Sequence, residues 1–371
     1  MAYNKKHNKD STPFLSVLML LIGVGYGIYI VRFCQSDDEP ISLMRLVVLL
    51  LMTFVAFLLH TVLHETGHLI FGLLTGYRFC SFRIGNIMLL RIDGKLQFRR
   101  MSLAGTAGQC LLEPPDLTEG KMPVMLYHLG GVIMNLVVSV ISIILFVLLD
   151  GTSYAQPFCM VMAVIGMMLV FTNGIPVKTQ PVSNDGYNAR MLYDNPEAIH
   201  AMWIQMKVNG QLAQGVKAMD MPEEWFILPE EEKMDNCIVA ALGVMAESRL
   251  MEEHRFEEAQ ALIERLFAID AAITGLHRQL LTCDLLYCAL IGDGDKETVE
   301  ALRSEELLKF MKQMKRFPMV MRTEYAFALW EQDSEETELI RKRFEKCAKT
   351  YPYKTDIEGE RGLMKLAEER I

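Results

Sequence analysis

The sequence predicts a mostly α-helical protein in two parts: a polytopic membrane core of about four spans with a small β-hairpin, then a soluble α-helical repeat-like domain. Three observations predict it. Four long apolar runs lie before residue 177. Residues 187–371 hold 35 acidic and 24 basic side chains, a net of −11 against −9 for the whole chain, which leaves the first half at +2. From about residue 195 onward apolar side chains recur at helical spacing. We expect three segments: an N-terminal anchor helix and external loop over 1–40, a membrane core over 41–190, and a helical domain over 191–371.

The first span is FLSVLMLLIGVGYGIYIV (14–31). It is long for a signal peptide and no small-x-small cleavage site follows it, so a retained anchor is expected. The second begins near Ile41 and reaches about Leu74, longer than a ~30 Å hydrocarbon layer requires. The third is 125–149 and the fourth 157–176. Orientation follows the basic residues. Lys5, Lys6 and Lys9 precede the first span, whereas Asp37, Asp38 and Glu39 follow it. Arg78, Arg83, Arg91, Lys95, Arg99 and Arg100 crowd the loop after the second span, Asp150 is the charge between the third and fourth, and Lys178 follows the fourth. Both termini are therefore expected in the cytosol of a multi-pass protein, and we expect a bacterial cell membrane.

Between the second and third spans, IMLLRIDGKLQFRR (87–100) reads as a hairpin turning at Asp93-Gly94. It serves either as a structural hairpin on the membrane surface or as an edge that pairs with an extended substrate. Residues 105–120, with Pro114-Pro115, read as a loop, and Glu113 and Asp116 as solvated acids in it. The eight cysteines form no C-x-x-C pair, so a disulfide framework is not expected. No basic patch with interleaved aromatics argues for nucleic acid.

The second span carries His64-Glu65-Thr66-Gly67-His68. Histidines four apart on a helix share a face, so both imidazoles reach one Zn²⁺ while Glu65 lies beside them as a base. Ionisable groups at membrane depth are costly, which makes them candidates for function. A catalytic zinc takes a third protein ligand. Asp185, followed by Gly186 just beyond the fourth span, is a hard oxygen donor on the same side of the membrane. His60 lies one turn before His64 and reads as a hydrogen-bonded polar group rather than a ligand. His128 reads as packing, and Asn173 and Asn184 read as caps of the turn before Asp185.

HETGH in a membrane helix, an Asn in a later span (GGVIMN, 130–135), and an Asn173-x-x-Pro176 element followed by Asp185-Gly186 together resemble the site-2 protease family of intramembrane zinc metalloproteases. The resemblance covers about residues 41–190. It implies His64, His68 and Asp185 as zinc ligands, Glu65 as catalytic base, and Asn135 as support for substrate or oxyanion. Two departures are visible: Val132 stands where the family often has Pro, and the spacing to Asp185 is longer, with Asn184 in place of an apolar residue. The implied activity is hydrolysis of a peptide bond in a membrane-anchored protein or peptide near the cytosolic face.

In the second half, 245–270 resembles a tetratricopeptide unit with an interior Ala259, and 277–310 and 322–353 read as further helix pairs. Such a domain is expected to recruit a substrate or a regulatory protein. The rival reading of the whole chain is a non-catalytic membrane scaffold or immunity-type binding protein that retains a protease-like site.

Overall fold

A computed structural model describes residues 12–35, 42–103, 105–149, 153–177, 183–292 and 294–371. The orientation signals at Lys5, Lys6, Lys9, Asp37, Asp38, Glu39, Asp150 and Lys178 lie outside them. The chain forms two compact units.

The first unit, Met1–Thr75, Pro123–Thr179 and Ser183–Tyr193, is built from α1 (Thr12–Cys34), α2 (Leu43–Leu74), α3 (Met125–Leu148), α4 (Ala155–Gly174) and the short α5 (Asp185–Leu192). The first four are long and apolar enough to cross a membrane. Their burial pattern is the reverse of a soluble protein's. Leu50, Leu51 and Phe54 of α2 and Ile141, Ile144 and Val147 of α3 are exposed, whereas His60, Asn135 and Ser139 are completely buried. An apolar exterior around a polar interior suits lipid, not water, as surroundings. The chain is a membrane protein in this sense. α2 runs for 32 residues, about 48 Å at 1.5 Å per residue, and so exceeds the ~30 Å layer that the sequence predicts it to cross.

The contact between α2 and α3 is set by two glycines. A Cβ on Gly67 would stand 2.3 Å from the carbonyl oxygen of Gly130, and one on Gly130 would stand 2.7 Å from that of Gly67. The two backbones therefore touch, as small residues permit between membrane helices. This brings the histidines of α2 against the first half of α3.

The second unit is Gly76–Met122, Gln180–Val182 and Asp194–Ile371. It starts with an antiparallel sheet of β1 (Arg78–Ile84), β2 (Ile87–Ile92), β3 (Lys95–Arg100) and β4 (Gly108–Glu113), in the order β3-β2-β1-β4. The expected hairpin is β2–β3. Asp93 and Gly94 have φ of 48° and 74°, as a type I′ turn requires. Residues 105–120 are not simply a loop: β4 lies within them and pairs with β1 from Arg78↔Glu113 to Ile84↔Gly108. Gly108 and Pro114-Pro115 dominate the local signal, but pairing with a distant strand decides the conformation.

Fourteen α-helices occur among the described residues, and nine follow α5. They are α6 (Pro196–Ala213), α7 (Cys237–Glu252), α8 (Phe256–Ala268), α9 (Gly275–Ile291), α10 (Lys296–Leu302), α11 (Glu305–Gln313), α12 (Pro318–Trp330), α13 (Ser334–Ala348) and α14 (Lys354–Arg370). Ala259 is fully buried, as a tight crossing of α8 requires. The sheet packs on these helices: Met88 and Leu90 share a core with Ala213 and Tyr353, and Arg100 N–H donates to the Thr350 carbonyl at 2.9 Å. Residues 76–122 thus pack with the helical half, although in sequence they fall inside the 41–190 segment.

Candidate metal centre

The site lies wholly within the first unit. α2 places His64 and His68 on one face, with Glu65 buried beside them at 8 % exposure. Asp185 arrives from a separate element, and Asn184 delivers it. The Asn184 side chain accepts from Tyr187 N–H at 2.9 Å, capping α5, and donates to the Thr172 and Ile175 carbonyls at 2.8 and 2.7 Å. It therefore fixes the start of α5 to the end of α4. Gly186 completes the fit, because a Cβ there would stand 2.1 Å from the Gly174 carbonyl oxygen. Asn173 does not cap α5; it donates to the Leu169 carbonyl within α4 at 3.0 Å.

Three ligand atoms converge. His64 Nε2 lies 3.0 Å from Asp185 Oδ2, His68 Nε2 lies 3.6 Å from it, and the two Nε2 atoms are 3.1 Å apart. Among the described residues this is the one group of three His, Cys, Asp or Glu side chains gathered closely enough to hold a metal ion. Tetrahedral zinc with bonds of about 2.0–2.2 Å separates its ligand atoms by about 3.3 Å, and the observed separations straddle that value. Asp185 Oδ2 is buried, and no donor is aligned with it as in a hydrogen bond. An anionic oxygen so placed fits a cation better than it fits two imidazole N–H groups.

The opposite ring nitrogens decide which lone pairs face the site. His68 Nδ1–H donates to the Tyr127 carbonyl at 2.7 Å, which leaves Nε2 of the neutral ring free for a metal. His64 Nδ1 meets the side-chain amide of Asn135, whose nitrogen and oxygen lie 3.2 Å from His64 Nδ1 and 3.1 Å from His60 Nδ1. His60 Nε2–H donates to the Met162 carbonyl at 2.9 Å, so His60 Nδ1 of a neutral ring needs a donor. Turning the Asn135 amide over, an exchange of nearly indistinguishable atoms, satisfies every group: Asn135 then donates to His60 and accepts from His64 Nδ1–H. A metal ion held by His64 Nε2 would select this arrangement.

Each residue singled out in the sequence thus has a place. His64, His68 and Asp185 come together, with Glu65 adjacent. Asn135 is completely buried and engaged with two histidines. His60 is a hydrogen-bonded polar group, and His128 is buried with its Nε2 unpartnered and its ring edge-on to Tyr127 at 5.0 Å. Sequence reading missed the Tyr127 carbonyl, a backbone group that carries no sequence signal, and the reach of Asn184 back to α4. Comparison of the chain with protein-family models, with curated proteins and with solved structures finds no match.

Proposed function

We propose that this chain is an intramembrane zinc metalloprotease that hydrolyses a peptide bond of a membrane-anchored protein or peptide. The observation that carries the reading is the convergence of His64 Nε2, His68 Nε2 and Asp185 Oδ2 from two separate elements inside a bundle of apolar helices. These three residues would hold the ion. Zinc bound there supplies Lewis acidity, which favours deprotonation of water near neutral pH and polarises a carbonyl.

The protein's own groups divide the remaining work. Glu65 accepts the proton of the attacking water and returns a proton to the leaving amine. Tyr127 and Asn135 orient the two imidazoles from behind, with His60 holding Asn135 in turn. The apolar bundle keeps bulk water scarce, so charges developing at the centre interact strongly. A transmembrane substrate hides its carbonyls in its own helix, so local unwinding precedes cleavage, and helix-weakening residues in the substrate favour it. The basic residues between Arg78 and Arg100 support a cytosolic side for the zinc end of α2 by the positive-inside rule, with both termini on that side of a bacterial cell membrane. The helical half recruits the substrate or a regulator.

The test pairs metal analysis of the purified protein with Glu65→Gln. We expect about one zinc per chain in both forms, and cleavage of a helical membrane substrate by the wild type alone. Hydrolysis that persists in Glu65→Gln removes Glu65 from its role. Zinc-free protein whose ligand binding survives His64→Ala supports the non-catalytic scaffold instead.

A further inference from the structure

A second polar site lies within the helical half. α7, α9, α12 and α14 surround a cavity of about 250 Å³. Its lining includes the apolar side chains of Met251, Phe317, Met319 and Leu363. It also includes four carboxylates, Glu252, Asp284, Asp356 and Glu360, and one guanidinium, Arg322. His254 also reaches the cavity.

Arg322 answers two of these carboxylates, while its Nη1 has no hydrogen-bond partner among the described residues. Its Nε donates to Glu360 at 2.9 Å, its Nη2 donates to Asp284, and the guanidinium carbon lies 4.2 Å from the centre of the Tyr287 ring. Neither Asp356 nor Glu252 forms an ion pair among the described residues; Glu252 accepts only a backbone N–H, that of Met219, at 3.2 Å. Burial, with the neighbouring Glu360 and Glu252 carboxylates, pushes the Asp356 carboxyl up to about 7. Four carboxylates thus line the cavity with one guanidinium, and above about pH 7 Asp356 adds a charge that Arg322 does not pair.

An independent observation points to a ligand. Thr355 lines the same cavity and is 8 % exposed, yet its Oγ1 has no hydrogen-bond partner. A buried hydroxyl left so is uncommon, and its oxygen is open to a donor as its proton is to an acceptor. The carboxylates are not gathered as a metal shell, since among the described residues that geometry belongs to His64, His68 and Asp185. The volume falls below the roughly 300 Å³ at which small-molecule pockets begin, and suits one long side chain. A charged head on an aliphatic stem matches a lining that is part acidic and part apolar.

We propose that this cavity binds an alkyl guanidinium or ammonium group, with its N–H donors given to Asp356, Glu252 and Thr355 Oγ1 and its stem against Met251 and Phe317. Such a group reaches the cavity as an arginine or lysine side chain of a protein segment, or as a free amine.

Isothermal titration of the full chain in detergent at pH 8 tests this with three probes: the capped pentapeptide acetyl-Ala-Ala-Arg-Ala-Ala-amide, its citrulline analogue, and arginine amide. The arginine peptide is expected to bind at least 10-fold more tightly than the citrulline peptide, which keeps the shape and loses the charge. Asp356→Asn and Glu252→Gln are each expected to weaken it at least 10-fold, with melting checked so that loss of fold is not read as loss of binding. Should one variant fail to fold, the other decides. Arginine amide binding as well as the peptide identifies a free amine as sufficient; a peptide advantage of 10-fold or more identifies a protein segment. No binding of either arginine probe, equal binding of the citrulline peptide, or full affinity in a folded variant overturns the proposal.

Discussion

Asn135 Nδ2 stands 3.2 Å from Nδ1 of His64, the ring atom opposite the one that faces Asp185. The amide is completely buried, and its other end meets His60 Nδ1 at 3.1 Å. An amide engaged at both ends is placed to orient the His64 ring. Asn135→Leu keeps much of the volume and removes both hydrogen bonds. Zinc affinity, read by competition with a chromophoric chelator, should fall about 10- to 100-fold. Asn135→Asp keeps an acceptor for His64 Nδ1–H and should retain most of it. Equal affinity in all three forms would detach Asn135 from the metal centre.

Gly131 bears on the same ring from the other helix. An added Cβ would stand 2.6 Å from both Cε1 and Nε2 of His64. The obstacle is a side chain rather than backbone, so Gly131→Ala should leave the helices packed and turn the imidazole away. A misplacement of about 1 Å at such a centre costs on the order of 100-fold in rate. We expect that loss in proteolysis, with little change in the melting temperature of detergent-solubilised protein. A large fall in melting temperature would mean that the bundle itself had opened.

These two positions show what the sequence discloses and what it does not. The spacing of His64 and His68 is local, so helical periodicity alone puts them on one face. Asp185 lies 117 residues beyond His68, and what joins them is the double hold of Asn184 on Thr172 and Ile175, which no periodicity reveals. The β2–β3 hairpin was legible because Asp93-Gly94 is a local turn signal, whereas β4 was not, because its partner β1 lies across the hairpin. The buried acids of the helical half were hidden for a related reason. Glu247, Asp284 and Glu360 look like ordinary helix-surface charges until α7, α9, α12 and α14 assemble around Arg322.

That assembly is a structural liability when one partner is lost. Arg322 and Asp284 are 1 % and 2 % exposed at the side chain. Arg322→Met leaves Asp284 and Glu360 buried without their cation, and removing one member of such a pair costs about 3–5 kcal/mol. Asp284→Asn should cost less, because Arg322 keeps Glu360 at 2.9 Å. Chemical denaturation followed by far-UV circular dichroism measures both. The reverse ranking would mean that Asp284, not Arg322, is the element the cluster depends on.

Asp356 makes the stability of the helical half depend on pH. Its carboxyl titrates at about 7 in the folded chain, through burial and the carboxylates of Glu360 and Glu252, against about 3.9 when unfolded. Between those values the folded state holds a proton that the unfolded state has released. The contribution is therefore fully present below pH ~3.9 and is lost as pH rises through about 7. Asp356→Asn mimics the neutral form at every pH. It should match the wild type in melting temperature near pH 4 and exceed it at pH 8, with a flatter profile between. The Lys354 and Arg361 side chains on the same helix are exposed and add little slope in this range. A variant that runs parallel to the wild type from pH 5 to 8 would show that the Asp356 carboxylate is solvated in the folded chain and carries no excess proton.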